Sequence, residues 1–156
     1  MLGHAKKWLE KDEFEYVKLN GIKYPTAKTI ISLHDYLVQC FVKEGEEVHE
    51  GTMSDANLSF HGIKYYEIDK EGERDNIIFK AAHIFNQFLE AGHPFVDGNK
   101  RTGFVTLWLF LTMNGLELKL SMFAYKKHLE KINKWADLTD LDNIGEIIDW
   151  LKENIK

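Results

Sequence analysis

The chain predicts a mainly α-helical fold, a bundle around a central buried helix with small β-hairpin and flap elements. Only two prolines, Pro25 and Pro94, interrupt its 156 residues, so helices can run long between them. Apolar residues recur at helical spacing in four stretches, and a further one, Thr102 to Met113, is apolar nearly all round, as a helix covered by its neighbours must be. With 44% apolar residues, a chain this long can bury roughly two-thirds of its unfolded surface in one core. One domain over residues 1–156 is therefore expected.

Taken in order, the segment from Phe14 alternates through Tyr16 and Lys18 to Asn20-Gly21, a pair suited to the type I′ turn of a short hairpin. After Pro25, Thr26 can cap a helix carrying Ile30, Ile31, Leu37, Val38 and Phe41, which Gly45 ends. The glutamate- and glycine-rich stretch from Lys43 to Asn57 reads as a solvated loop. Phe60 to Ile68 is rich in β-formers and broken by Gly62, so it predicts a short strand or flap. Asp75 or Asn76 should cap a second helix, with Ile77, Ile78, Ala81, Ala82, Ile84, Phe85, Phe88 and Leu89 on a wide apolar face and Gly92 as its stop. The buried helix of Thr102 to Met113 follows and ends at Asn114-Gly115. Ser121 should cap another helix with Phe123, Leu129, Ile132 and Trp135, and Thr139 open a last one with Leu141, Ile144, Ile147, Ile148 and Leu151.

Composition narrows the class of function. The single cysteine, Cys40, excludes an internal disulfide framework and reads as a buried, inert thiol in a reducing compartment. The opening residues MLGHAKKWLEKDEFEY hold no apolar leader core, and the longest apolar stretch falls well below the ~20 residues that span a bilayer, so a cytoplasmic protein with no membrane partner is expected. A net charge of −5 argues against direct binding to nucleic acid. Lys126, Lys127, Lys131 and Lys134 share a helix with Glu130 and read as a solvated face.

One segment is loaded with chemistry: His93-Pro94-Phe95-Val96-Asp97-Gly98-Asn99-Lys100-Arg101-Thr102, at the start of the buried helix. A helix N-terminus presents unpaired N–H groups and a positive dipole end, so it can hold phosphate. Gly98 lets the backbone approach an anion closely, while Asn99, Lys100 and Arg101 can donate to its oxygens, Arg101 through a planar fork. Asp97 supplies the one carboxylate that Mg²⁺ needs beside phosphate oxygens and water. His93, an imidazole of ordinary pKa near ~6.5, can take the proton of an attacking hydroxyl, and Phe95 would anchor the loop in the core. Phosphoryl or nucleotidyl transfer is the implied reaction. The same residues are also ordinary turn chemistry and a solvated corner. A phosphate-binding P-loop is excluded, because Gly92 and Gly98 are too far apart and Asn99 follows the second glycine where that motif has Lys. His34-Asp35 lacks the upstream His and distant Asp of an HD-type phosphohydrolase, since His4 alone lies upstream. His83 reads as a core or supporting residue, and His49 and His61 default to solvent.

The segment HPFVDGNKR resembles the signature of the Fic/Doc (fido) family, His-Pro-Phe-x-Asp/Glu-Gly-Asn-Gly/Lys-Arg, and the likeness runs over about residues 25–120. Leu33-His34-Asp35 is similar to the opening of the Doc (death-on-curing) branch, and Arg101-Thr102-Gly103 with its apolar helix to the family's centre. Residues 1–24 would then be an N-terminal hairpin extension and 121–156 C-terminal helices. The resemblance implies a fido-type helical bundle with a flap at Phe60–Ile68 that docks a target by strand addition. It implies ATP, or another nucleoside triphosphate, with Mg²⁺ on Asp97; His93 as base for a protein hydroxyl; and Gly98, Asn99, Lys100 and Arg101 around the phosphates.

Two departures from the family pattern direct the reading. Fic adenylyltransferases usually carry a second arginine three positions after the first, and that place is held here by Phe104; Doc-like members lack it too. Together with Lys100 in place of Gly, this implies a reversed nucleotide and transfer of the γ-phosphate, hence a Doc-like protein kinase ahead of an AMP transferase. Pro94 and Gly98, in contrast, follow the Fic consensus, and a non-catalytic binding module on the same fold is a remoter alternative. The family's inhibitory helix pattern, Ser/Thr-x-x-x-Glu-Gly/Asn, does not occur: Glu153-Asn154 is preceded by Asp149, Glu50-Gly51 by Glu46 and Glu44-Gly45 by Cys40. A toxin restrained by a separate antitoxin follows as an expectation, with elongation factor Tu the first candidate for the protein substrate.

Overall fold

The computed structural model describes residues 7–10, 13–43, 45, 70–89, 95, 99–119, 130, 131, 134 and 142–156. They form β1 (Tyr16–Leu19), β2 (Ile22–Pro25), α1 (Ala27–Lys43), α2 (Glu73–Leu89), α3 (Asn99–Met113) and α4 (Asp142–Asn154), a mainly helical chain with one two-stranded sheet, as expected. The flap expected at Phe60–Ile68, most of the acidic loop before it and the helix capped by Ser121 lie outside the described residues, apart from the helical positions 130, 131 and 134.

The hairpin follows from its turn. Asn20 and Gly21 both take positive φ, 50° and 82°, which pairs Leu19 with Ile22 in an antiparallel ladder. Thr26 caps α1 through its hydroxyl, which accepts the Thr29 N–H at 3.3 Å. The Glu15 carbonyl accepts from both the Thr26 N–H and the Thr29 hydroxyl, tying the hairpin to the first turn of α1. Gly45, at φ 84°, donates its N–H to the Val42 carbonyl just past the last turn of α1.

Two helix starts differ from the sequence expectation. α2 begins at Glu73, ahead of Asp75 and Asn76, because Gly72 adopts φ 84° and its carbonyl accepts the Asn76 N–H. Asn76 sits inside the first turn and its Oδ1 accepts the Lys70 N–H at 3.0 Å, tying the segment before the helix to its start. α3 begins at Asn99, three residues before Thr102, so Asn99, Lys100 and Arg101 belong to its first turn. Its far end matches expectation: the Leu116 N–H reaches the Leu111 carbonyl, the Gly115 N–H the Thr112 carbonyl, and Gly115 takes φ 82°, a Schellman stop.

α3 is the axis of the packing. Phe104, Leu107, Phe110 and Leu111 join the core made with α2, β2 and α4, while Val105 and Leu109 join a second cluster with Leu33 and Leu37 of α1 and Trp8. Trp8, an aromatic that sequence alone cannot assign to surface or core, is buried and tilts against Phe14 at 4.6 Å. α2 is more deeply enclosed than its apolar face predicts, for Lys80, His83 and Asn86 are buried as well. Past α3, Leu118 bridges Ile155, and the Lys119 N–H donates to the Asn154 carbonyl at 2.6 Å, so the end of α4 is zipped to the segment leaving α3.

α2 and α3 approach closely at Gly103, where an added Cβ would lie 2.6 Å from Phe88 Cβ and 2.8 Å from its Cγ. A methyl at a mid-helix glycine gains up to about 1 kcal/mol of helix propensity. Overpacking costs about 1–3 kcal/mol, and Phe88 Cβ is fixed to its backbone and cannot swing away. Gly103→Ala is therefore expected to lose about 1–2 kcal/mol net, read as a lower urea midpoint at unchanged slope.

Candidate functional site

The loaded segment is held by its aromatic residue. Phe95 is fully buried, its ring 3.8 Å from that of His34 on α1 and parallel to it within 1°. On α2 it meets Phe88, centroids 6.5 Å apart. Burying a phenylalanine here stabilises by about 1.5–3 kcal/mol relative to exposure. That places Phe95 between two helices just before α3 begins.

Asn99 secures the same residue by hydrogen bonds. Its Oδ1 accepts the Phe95 N–H at 3.0 Å and its Nδ2 donates to the Phe95 carbonyl at 2.8 Å. The side chain is buried, so both bonds run where water competes little. An amide group can do this because it carries a donor and an acceptor side by side. Of the donors expected to face phosphate, Asn99 thus has one Nδ2 hydrogen engaged with the loop and a second remaining.

The first turn of α3 then carries Lys100, exposed, and Arg101, half-buried, and holds no acidic residue of its own. Helix starts ordinarily gain from Asp or Glu, and cations there oppose the dipole by about 0.3–1 kcal/mol each. Phe104 belongs to the core: it is 2% exposed and lies edge-on to Phe85 at 6.4 Å and tilted against Trp150 at 6.2 Å.

His93, Asp97 and Gly98 lie outside the described residues, so of the expected site the structure brings together Phe95, Asn99, Lys100 and Arg101. Among the described residues no group of three His, Cys, Asp or Glu could hold a metal. The donor chemistry nevertheless suits Mg²⁺, which takes one or two carboxylates and completes its shell with phosphate oxygens and water.

His34 is the residue whose place sequence reasoning missed. It is 1% exposed, stacked under Phe95, with Nδ1 3.6 Å from the Asp35 carboxylate. Ile30, Leu33, Leu37 and Val38 share its face of α1, and that spacing was the available signal for its burial. Cys40 departs from expectation in a smaller way: it is half-buried, not enclosed, and hydrogen-bonded to Tyr36 one turn earlier. Burial first, then that hydrogen bond and the thiol's charge, push the Tyr36 phenol above its ordinary pKa. His83 is buried edge-on to Phe79 at 4.5 Å, the core position expected of it, and Lys131 and Lys134 are exposed.

The Fic/DOC family model matches residues 24–111, which span the end of β2, α1, α2, the loaded loop and most of α3. The chain belongs to the Fic/DOC family, whose members are typically transferases and generally use a nucleoside triphosphate with Mg²⁺. No curated protein and no solved structure matches the chain. No helix among the described residues is long and apolar enough to cross a membrane.

Removing the Asn99 amide removes its two buried hydrogen bonds to the Phe95 N–H and carbonyl. At about 0.5–1.5 kcal/mol net for each, Asn99→Ala is expected to lose about 1–3 kcal/mol. Asn99→Asp keeps the acceptor for the Phe95 N–H but sets a second carboxylate oxygen against the Phe95 carbonyl where Nδ2 donated, so it should lose at least as much. Chemical denaturation of the three proteins gives the order.

Proposed function

We propose that the chain is a Doc-like protein kinase that transfers the γ-phosphate of ATP to a Ser, Thr or Tyr hydroxyl of another protein. The observation that carries the reading is the first turn of α3, where Asn99, Lys100 and Arg101 stand at a helix start directly after HPFVDG. Such an end suits the polyphosphate of a nucleotide. His93 takes the proton as the hydroxyl oxygen bonds to the γ-phosphorus; the bond from that phosphorus to the β,γ-bridging oxygen breaks and ADP leaves. Arg101, Lys100 and the N–H groups around Gly98 hold the phosphate oxygens, while Asn99 fixes the loop and offers its second Nδ2 hydrogen. Asp97 would hold Mg²⁺, which supplies neutralisation of the phosphate charge.

Phe104 favours γ- over α-phosphate transfer. The position that holds a second phosphate-binding arginine in the AMP transferases is here a core aromatic on Trp150. An arginine there would have to bury its charge or unpack the junction with α4. The AMP-transferring reading keeps the support of Pro94 and Gly98, which follow the Fic consensus. The cytoplasm, an elongation factor Tu-like target and a separate antitoxin complete the proposal, the last because the chain holds no inhibitory Ser/Thr-x-x-x-Glu-Gly/Asn pattern.

The test is label transfer from ATP marked on either the α- or the γ-phosphate, with Mg²⁺ and cell lysate. γ-Label on a protein with none from the α position is expected, and His93→Ala should lower the rate by a factor of about 10²–10⁴, the usual worth of a general base. α-Label alone would establish AMP transfer, and no label from either position would leave the binding module.

A further inference from the structure

Beyond the groups that would touch nucleotide, we propose that His34 is a positioning residue for the candidate site: its ring is the plate on which Phe95 seats, the residue two positions in sequence from both His93 and Asp97. The inference rests on the transferase reading for its kinetic consequence, and on the packing alone for its structural one.

His34 is a fully enclosed polar ring on an otherwise apolar face of α1, among Ile30, Leu33, Leu37 and Val38. A structural role alone would be met by another aliphatic residue. The imidazole instead lies flat against Phe95, 3.8 Å between centroids and 1° between planes. A flat ring at this place fills the space beneath Phe95 face to face, which a branched aliphatic side chain does not; its Nδ1 lies 3.6 Å from the Asp35 carboxylate. On its other side Phe95 meets Phe88, itself pinned at Gly103, so the ring is bounded by α1 and by α2. The Asn99 amide then holds the Phe95 backbone at both its polar atoms. Ring and backbone of one residue are thus located by three separate groups, and only His34 comes from a distant part of the sequence. A loop displacement of about 1 Å can cost a hundredfold in rate. The plate beneath Phe95 is a means of preventing one.

The experiment compares wild type, His34→Ala and His34→Phe in the full chain, by amide hydrogen exchange and by steady-state phosphoryl transfer. The Phe95 N–H, bonded to Asn99 Oδ1, reports the seat directly. In His34→Ala its exchange should speed by at least about tenfold through local opening, while the Ile147 amide in α4 changes little. His34→Phe, which keeps a flat ring, should restore protection to within about threefold of wild type. In the kinetic arm His34→Ala should lower kcat by about tenfold or more with KM for ATP within about threefold, and the phenylalanine variant should recover most of kcat. Unchanged exchange at Phe95, an equal rise at Ile147, or failure of the phenylalanine variant to rescue would each overturn the proposal. If wild type transfers no label, the transferase reading falls while the exchange comparison still decides the role of His34.

Discussion

The burial of Phe95 between α1 and α2 is the constraint on which the site depends. A loop of polar and charged residues has little reason to hold one conformation in water, since each ordered residue costs about 1–2 kcal/mol of backbone entropy. A single aromatic ring, enclosed by His34 on one side and Phe88 on the other, supplies a large part of the opposing term. The hydrogen bonds from Asn99 add a second hold, on the backbone of the same residue. The residues with chemistry can then be hydrophilic without the loop having to be self-supporting.

The helix that follows is arranged on opposite principles at its two ends. Its body is apolar nearly all round, with Phe104 and Phe110 in one cluster and Val105 and Leu109 in the other, so α3 is held mainly by its neighbours. Its first turn carries Lys100 and Arg101 against the helix dipole. A helix that depended on its own capping for stability would not tolerate that turn. One embedded between α1, α2 and β2 can. The depth of α3 in the core thus permits a first turn with two basic residues and no acidic one.

Much of this was legible in the amino-acid order, and the parts that were not have a common cause. The Asn20-Gly21 turn, the Thr26 cap and the Asn114-Gly115 stop are local devices, in which a residue acts on backbone within a few positions. The all-round apolar run of α3 marked its centrality, and the position of Phe95 in the motif marked an anchor. What stayed hidden depends on partners far along the chain. The burial of Lys80 and Asn86 in α2 cannot be inferred from a helical wheel, because it is set by what covers that helix. The stacking of His34 under Phe95 joins residues 61 positions apart, although its apolar neighbours on α1 foretold that it would be inside. Cys40 was misjudged for the same reason: apolar sequence neighbours do not say whether a helix face is covered, and this one is half open. The start of α3 was placed late because Asn99, Lys100 and Arg101 look like loop residues until Asn99 is seen gripping Phe95.

Asn114 repeats at the far end of α3 what Asn99 does at the near one: its Oδ1 accepts the Lys23 N–H at 2.9 Å and its Nδ2 donates to the Lys23 carbonyl at 3.0 Å and the Phe110 carbonyl at 2.8 Å. Each asparagine grips a strand or loop backbone by both of its polar atoms, as one rung of a ladder would. α3 is therefore a strut with a coupling at either end, and its 15 residues set a span of about 22 Å between the hairpin and the loop. They also set an angle, because each residue added or removed would turn one coupling by about 100° relative to the other. Length in this helix is a tolerance in both distance and rotation, so its residue count is as much a part of the site's construction as the side chains that line it.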